Sequence, residues 1–401
     1  MLAILVPVIF AFLGFAIDLG RLYLVRGELQ TAANAAALAA ASRLVGTDAS
    51  LDAAARQSQL TFQDTTGNFS NRYNFGALEV GGTDGFLTSE LPTPTFYDTM
   101  ASALEGGGQA GGATAKYARV QVRAEAPLLF FGFLSLGQER KTAVEVAAMA
   151  GQSAPVCTAC GIEPVAIAAP DATDTIHFGL TTGTRYTFGF QCTGGAPGPL
   201  APAAIRLPYL LLNRYNEEAT LFPDEGSQAY RIGAQGMLPT TIPARSCITI
   251  NAEETIWVNA APGPCARVPA PITALTCGLA TRFDVTVPGA CANVQEVESL
   301  AALYQPDSDI ADIEDYAAYA GSGRRIITIA VVDALSAAAP MIVLGFRQFL
   351  IEPNQDDVTI NPGDMNGRFN AIYLGYPAPL RQGSFGACGV TSGPGKVVLH
   401  Q

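Results

Sequence analysis

The first 17 residues of the chain are almost purely apolar, and the run is interrupted only by Pro7 and Gly14. A helix of that length spans about 25 Å, close to the ~30 Å hydrocarbon core of a bilayer. Charged side chains first occur at Asp18 and Arg21. The pattern predicts an apolar helix that is long enough to reach across most of a membrane.

The residues that follow Asp18 and Arg21 also have a composition that favours a helix. Residues 27–45 are rich in alanine, the best helix former, and no proline occurs between Pro7 and Pro92. One helix over residues 1–45 is therefore predicted, apolar on all sides in its first half and amphipathic with small side chains in its second. Small side chains let helix backbones approach closely. Close contacts with other helices are therefore expected at Pro7, Gly14, Asp18, Gly20, Arg21, Ala32 and Ala36.

The spacing of apolar residues then changes from helical to strand-like. Residues 48–62 predict a short helix. The runs VQVRAEA (120–126) and TAVEVAA (142–148) alternate apolar and polar side chains, which is typical of half-buried strands. An uncharged apolar segment, PLLFFGFLSLG (127–137), connects them. The residues from 46 to 152 are therefore predicted to form a small α+β domain.

Short strand-like runs separated by proline and glycine continue from residue 153 to residue 401. Runs such as RRIITIAVVD (324–333) and MIVLGFRQFLIE (341–352) predict a β-rich domain of sandwich-like or barrel-like architecture. The predicted fold class is α+β, with a helix at 1–45, a small α+β domain at 46–152 and a β-rich extracellular domain at 153–401.

All eight cysteines lie in the predicted β-rich domain. Together with an N-terminal apolar segment, their even number predicts disulfides and an oxidising, extracytoplasmic compartment. Cys157 and Cys160 have the spacing of a redox pair or half a zinc site, but no βαβ pattern surrounds them, so ordinary disulfides are favoured. Eight cysteines allow 105 pairings, and the sequence does not choose among them. The disulfide candidates are Cys157, Cys160, Cys192, Cys247, Cys265, Cys277, Cys291 and Cys388.

The charge of the chain narrows the choice of partners. The net charge is −12, and only three residues are lysine. Nucleic-acid binding needs a basic patch or stripe, so no nucleic-acid partner is expected.

Residues with catalytic chemistry are few. The chain has two histidines, His177 and His400, and neither lies in a recognisable metalloprotease motif. No Gly-x-Ser-x-Gly or phosphate-binding loop occurs. A triad built on His177 is less consistent with the sequence than a structural histidine, and no enzymatic activity and no resident cofactor are predicted.

Two acidic segments are candidates for a calcium site. The first offers Asp307, Asp309 and Asp312, and the second offers Asp364 and Asn366 ahead of a glycine. Neither has a complete set of ligand spacings. A solvated helix start for the first and an Asx turn for the second account for the same residues without a metal.

The position of the basic residues suggests processing. Arg21 and Arg26 follow the apolar run, and the positive-inside rule alone would place the body of the protein in the cytoplasm. The cysteines instead predict that the body of the protein lies on the extracytoplasmic side of the membrane. Both observations agree if a basic leader has been removed just before Met1, which is the expectation here. An uncleaved anchor and a cleaved signal peptide are the alternatives.

The N-terminal segment resembles that of TadE/TadG-like proteins, pseudopilin-related components of tight-adherence (Flp, type IVc) pilus systems. The resemblance lies in the apolar run with Pro7, the sequence Asp-Leu-Gly-Arg at 18–21, Leu29-Gln30 and the alanine tract at 32–41. Residues 118–150 resemble the segment that closes the first globular part of TadG-like proteins. Residues 48–52 lack the metal-site motif of a von Willebrand A domain, and no glutamate follows Met1 as in type IV pilins.

The resemblance implies a structural subunit of an extracellular pilus-like filament that is assembled through its N-terminal helix. The implied partners are other copies of the chain, the inner membrane before assembly and the pilus secretion machinery. The alternative is a membrane-anchored accessory or adhesive component, a minor pseudopilin, of the same system. In either case the chain is expected in the inner membrane first and at the cell surface afterwards.

Overall fold

Two compact units make up the chain. The first comprises residues 1–44, 51–152 and 397–401, and the second comprises residues 45–50 and 153–396. The last residues therefore return to the first unit, whereas the sequence placed them in the β-rich domain. The computed structural model describes residues 2–62, 92–128, 130, 141–190, 205–213, 247–255, 270–280, 282, 319, 324–336, 338–352, 354–355, 358–359, 367–375 and 378–400.

Helix α1 (Leu2–Ala41) confirms the long N-terminal helix that the sequence predicts. No proline interrupts it after Pro7, and alanine fills much of its second half, so the helical hydrogen bonds continue past Asp18. Helix α2 (Asp48–Leu60) follows, and Thr47 caps it by accepting a hydrogen bond from the Ser50 N–H at 3.2 Å.

The first unit contains a four-stranded antiparallel sheet. Its two long central strands pair along their whole length, from Tyr117 opposite Gly151 to Pro127 opposite Lys141. Helix α3 (Met100–Glu105) precedes them, with Thr99 as its N-cap and Gly106 in the left-handed conformation at its C-terminus. The strand order is β1 (Thr95–Tyr97), β2 (Tyr117–Pro127), β3 (Lys141–Gln152) and β16 (Val397–His400).

The second half of α1 packs on one face of this sheet. Val120 and Val122 of β2 are buried, whereas Gln121 and Arg123, which alternate with them, are exposed, and this confirms the predicted alternation. On the helix, the buried residues recur every three or four positions and form one stripe. The stripe consists of Val25, Leu29, Ala32, Ala33, Ala36, Ala37, Ala40 and Ala41.

The second unit is organised around a closed ring of six strands. Strand β11 (Met341–Glu352) closes the ring, because it pairs with β10 (Ile326–Val332) on one side and with β14 (Phe369–Tyr373) on the other. The ring mixes parallel strand pairs with antiparallel ones, and it is a barrel rather than a sandwich because the sheet closes on itself. In ring order the strands are β10 (Ile326–Val332), β5 (Val165–Ala168), β7 (Ile205–Leu211), β6 (Arg185–Phe190), β14 (Phe369–Tyr373) and β11 (Met341–Glu352).

Aromatic side chains from the ring strands pack together in its core. Phe188 stacks on Phe369 with ring centroids 4.7 Å apart, and it meets Phe349 edge-on at 5.1 Å. The buried hydroxyl of Tyr209 donates to the carbonyl of Gly367 at 2.8 Å, so its polar end is satisfied. The core is therefore filled by side chains.

Smaller elements add to the second unit. Ala159, Ile248 and Leu275, which lie on three of them, belong to the same apolar core as the ring. These elements are β4 (Thr158–Cys160), β8 (Cys247–Thr249) and β15 (Gln382–Ser384), which form a three-stranded sheet, β9 (Glu253–Glu254), the hairpin of β12 (Asn354–Gln355) and β13 (Val358–Thr359), and α4 (Ala270–Ala280).

The overall class is α+β, as the sequence predicts: a long apolar helix, then strand-rich sheets with short helices and disulfides. The run FDVTVPG (283–289), whose composition also predicts a strand, lies outside the described residues.

Candidate functional site

From Val8 to Leu24, α1 exposes apolar side chains over most of its circumference. Val8, Phe10 and Phe12 are each between 44% and 71% exposed, and the exposure continues past the first charge. Among the described residues, α1 is the helix that is long and apolar enough to cross a membrane, and the most apolar part of it is only 17% buried. A core helix of a soluble protein would be mostly covered. The exposed apolar residues of this segment are Val8, Ile9, Phe10, Phe12, Leu13, Phe15, Ile17, Leu19, Tyr23 and Leu24.

One side of this exposed segment is covered, at Gly14 and Asp18. Both residues are buried, and they lie one helical turn apart on the side that continues into the buried stripe. The Phe130 N–H, from the connection after β2, donates to the Asp18 carboxylate at 3.0 Å. A Cβ atom at Gly14 would lie 2.7 Å from the Phe130 Cβ, so the close approach requires glycine here.

The sequence offers Arg21 and Arg26 of the same helix, or groups of another copy, as partners for Asp18, and the structure adds a different one. Among the described residues, no ion pair joins Asp18 to Arg21, although the two lie three positions apart. A backbone N–H from 112 residues away supplies the hydrogen bond instead. Such charge-assisted hydrogen bonds stabilise a buried carboxylate. Sequence reasoning missed Phe130 as a partner, because the contact is distant along the chain.

Ala32 and Ala36 do not lie on a surface that is free for another copy. Both are fully buried, and they pack against β2 and β3 of the same chain. The sequence assigned their small size to contacts between copies. In the structure, the small size of the two alanines lets α1 approach the sheet closely inside the first unit.

Gly20 differs from these alanines. It is exposed, and a Cβ atom placed on it would meet no other atom within 4 Å. The same is true of Gly27, seven residues and two helical turns later, so both glycines lie on one outward face. Arg21 is half-buried, and Pro7 lies within α1, its side chain outside the described part of the chain.

Ala36→Leu is expected to lower the free energy of unfolding by about 1–3 kcal/mol, because a leucine overpacks the fully buried site between α1 and the sheet. Thr31→Leu is the matched control, since Thr31 is exposed on the same helix. Denaturant unfolding of the full chain in detergent micelles measures both. Equal stability of the two variants would mean that Ala36 is not in the core.

The two described disulfides join distant cysteines. Cys157 bonds to Cys388, and Cys160 bonds to Cys247 on the neighbouring strand. Cys157 and Cys160 are therefore not a redox pair, and both thiols are consumed in crosslinks, which excludes them as zinc ligands. Cys277 is also disulfide-bonded. The remaining candidates, Cys192, Cys265 and Cys291, lie outside the described residues.

The predicted calcium ligands, Asp307, Asp309, Asp312, Asp364 and Asn366, also lie outside the described residues. Within the described part, no group of three or more His, Cys, Asp or Glu side chains is arranged to hold a metal ion.

His177 lies in a tightly hydrogen-bonded loop of the second unit. Its Nδ1 atom is 3.0 Å from the hydroxyl of Tyr373, and burial raises the pKa of that tyrosine to about 12. The Asp174 carboxylate accepts hydrogen bonds from the backbone N–H groups of Ile176, His177 and Gly179, which lowers its pKa. Asp174 thus orders the loop backbone, and its described contacts with His177 do not form a catalytic triad.

Comparison with known proteins connects the N-terminal segment to one family. Residues 1–43 match the family model described as putative Flp pilus-assembly TadE/G-like. The match ends two residues after α1 and covers both the exposed apolar half and the alanine-rich half of the helix. No curated protein and no solved structure matches the chain. The first 43 residues are therefore similar to the TadE/G-like pilus-assembly family, which confirms the resemblance of the N-terminal segment.

Proposed function

We propose that this chain is a structural subunit of an extracellular pilus-like filament. Helix α1 holds it in the inner membrane before assembly, and the same helix then packs against other copies. The family match supports a role connected with pilus assembly. The proposal assigns no catalytic reaction to the chain.

The observation that carries the filament proposal is the outward face of α1 beyond Asp18. Tyr23 and Leu24 are 79% and 61% exposed, and Leu19 is 54% exposed. A lipid anchor needs apolar surface only up to the level of its first charges, whereas these side chains continue past that level. Packing against helices of other copies would remove this surface from water, worth roughly 25 cal/mol per Å².

The exposed glycines support the same proposal. Glycine costs about 1 kcal/mol relative to alanine inside a helix. Gly20 and Gly27 meet no atom of the described chain that would require them to be small. Close approach of a helix from another copy would explain why both positions are glycine.

The alternative function is an anchored accessory or adhesive component that stays monomeric in the membrane. The two fully buried alanines, Ala32 and Ala36, do not separate it from the filament subunit, because packing within the chain accounts for their size. The outward face at Gly20, Leu24 and Gly27 supports the filament subunit, since a monomeric tether does not need an exposed apolar face at this level.

Gly20→Leu and Gly27→Leu are expected to reduce the amount of this chain in sheared surface filaments about tenfold or more, because a clash of about 1.4 kcal/mol per contact lowers association tenfold. The membrane-bound precursor should keep its fold, since both sites open to solvent. Negative-stain microscopy and mass spectrometry of sheared material from cells measure the yield.

Gly108→Leu is the matched control. Gly108 is also exposed, and a Cβ atom placed on it would meet no other atom within 4 Å, but it lies in a loop away from α1. The control variant should leave filament yield unchanged. If sheared material lacks this chain, or if the two helix variants assemble like the control, the accessory function replaces the filament subunit.

A further inference from the structure

Strand β3 has one side that is only partly paired. Strand β2 pairs with all 12 residues of β3 on the first side. On the second side, β16 pairs only with residues 149–152 of β3. The preceding residues of β3, 142–147, therefore form an edge of the sheet, named the β3 edge.

The pairing with β2 determines which backbone groups are directed out of the β3 edge. In an antiparallel pair, alternate residues direct their N–H and C=O groups to opposite sides of the strand. The Gln152 N–H donates to the Lys116 carbonyl at 3.1 Å, on the β2 side, and the register continues along β3 without a bulge. Even-numbered residues therefore bond to β2, and the backbone groups of Ala143, Glu145 and Ala147 are directed away from it.

One of these outward groups already accepts a hydrogen bond from an amide. The Nε2 atom of Gln30, on α1, donates to the Ala147 carbonyl at 3.0 Å, as the N–H of a further strand would. Among the described residues, nothing takes the outward backbone groups of Ala143 and Glu145, and both residues are exposed. The β3 edge thus presents two donors and two acceptors in the geometry of a β ladder.

The two faces of the β3 edge differ in chemistry. Val146 is buried and Val144 is half-buried in the apolar cluster that α1 shares with the sheet. On the other face Glu145 is exposed, and no ion pair involves it in the described part of the chain, although Arg123 lies opposite it on β2. A strand added at this edge would meet an apolar row on one face and a carboxylate on the other.

We propose that the β3 edge binds an extended peptide segment of another polypeptide, which pairs antiparallel to β3 opposite residues 142–146 and places a basic side chain opposite Glu145. In strand addition of this kind, main-chain hydrogen bonds give affinity and alternate side chains give specificity. The segment is antiparallel because the described strand pairs of this sheet, including β16 on the same side of β3, are all antiparallel. It is basic because opposite charges directly across a strand pair stabilise it and like charges destabilise it.

The same edge of a second copy does not fit as the occupant. Helix α1 contacts Phe130, ahead of β3, through Asp18, and it contacts Ala147 through Gln30, so α1 and β3 run in the same direction. Two β3 edges paired antiparallel would therefore carry antiparallel α1 helices. With α1 in a membrane, as proposed above, two copies inserted in the same direction cannot form that pair.

A synthetic peptide, Val-Lys-Val-Thr-Val with a fluorescein label on a C-terminal glycine linker, tests the inference. Its lysine falls opposite Glu145, and its valines fall on the face of Val144 and Val146. We expect saturable binding to the full chain in detergent micelles, measured by fluorescence anisotropy. Amide hydrogen exchange at Ala143 and Glu145 should slow on binding, whereas Val144 and Val146, already bonded to β2, should change little. The control peptide is N-methylated at its lysine and threonine, which removes the two donors that face β3, and it should not bind.

The charge is tested by Glu145→Lys, which should weaken binding of the lysine peptide at least about threefold and favour a peptide with glutamate in its place. Glu105→Lys is the matched control, because Glu105 is an exposed glutamate on α3 of the same unit, and it should leave both affinities unchanged. Equal binding of the N-methylated peptide, or unchanged exchange at Ala143 and Glu145, would show that the β3 edge binds no strand. Slower exchange there at higher protein concentration without peptide would make a second copy the occupant and overturn the proposal.

Discussion

Replacing Cys157 and Cys388 together by alanine is expected to lower the free energy of unfolding of the second unit by about 2–5 kcal/mol. The two residues are 231 positions apart, so the crosslink closes a long loop and removes many conformations from the unfolded chain. Amide hydrogen exchange at β10, one of the ring strands, measures the loss on the full chain in detergent micelles.

The matched comparison is the Cys160 and Cys247 pair, which closes a loop of 87 residues. Because the entropic term grows only slowly with loop length, its removal should cost nearly as much. Alkylation of the denatured, unreduced protein should find almost no free thiols at these four residues. Four free thiols, or unchanged exchange at β10 in both double variants, would contradict the disulfides.

The disulfides also bear on where the chain works. Disulfides persist in oxidising compartments and are rare in the cytosol. Three described features point the same way: the crosslinks, the apolar helix and the pilus-assembly family match. They are consistent with membrane anchoring followed by a role at the surface.

Elements with local, regular patterns were predictable from the sequence. Helix α1 follows from composition, because an apolar run and an alanine tract without an interior proline favour helix over any alternative. Strands β2 and β3 follow from alternation, since one face of each packs on α1 and the other faces solvent.

Other elements were not predictable, for identifiable reasons. Strand β7 contains Pro208, a residue that normally argues against a paired strand. Helix α4 is apolar on nearly all sides, so periodicity does not separate it from a buried strand. Strand β16 itself is predicted by the run KVVLH (396–400), but no local pattern encodes its pairing with β3, about 245 residues earlier.

The candidate site was predictable in its residues but not in its geometry. Gly14, Asp18 and Gly20 were identified from the helix sequence, yet only the structure separates them into a covered side and an outward face. The contact between Asp18 and Phe130 depends on how far the hairpin extends along α1. That length is set by the pairing of β2 with β3, which is a tertiary property.

Arg282→Met is expected to destabilise the second unit by about 3–5 kcal/mol, because it leaves the Glu163 carboxylate buried without its counterion. The two side chains form a buried ion pair. The pair connects the end of α4 to the ring: Arg282 also donates to the Arg324 carbonyl at 2.6 Å, and Glu163 accepts from the Thr328 N–H of β10. Denaturant unfolding of the full chain measures the loss.

The pH dependence and the double variant test the cause of that loss. Burial raises the pKa of Glu163 from 4.5 to about 7, although Arg282 and the Thr328 N–H act in the opposite direction. A carboxyl with a raised pKa contributes stability below pH 4.5 that is lost as the pH rises through about 7. Arg282→Met should therefore regain stability towards acid pH, where Glu163 becomes neutral. Glu163→Gln with Arg282→Met should regain it at every pH, because neither charge of the pair remains to be buried. A loss in Arg282→Met that is independent of pH and unrelieved by Glu163→Gln would mean that packing of the arginine, not charge pairing, stabilises this region.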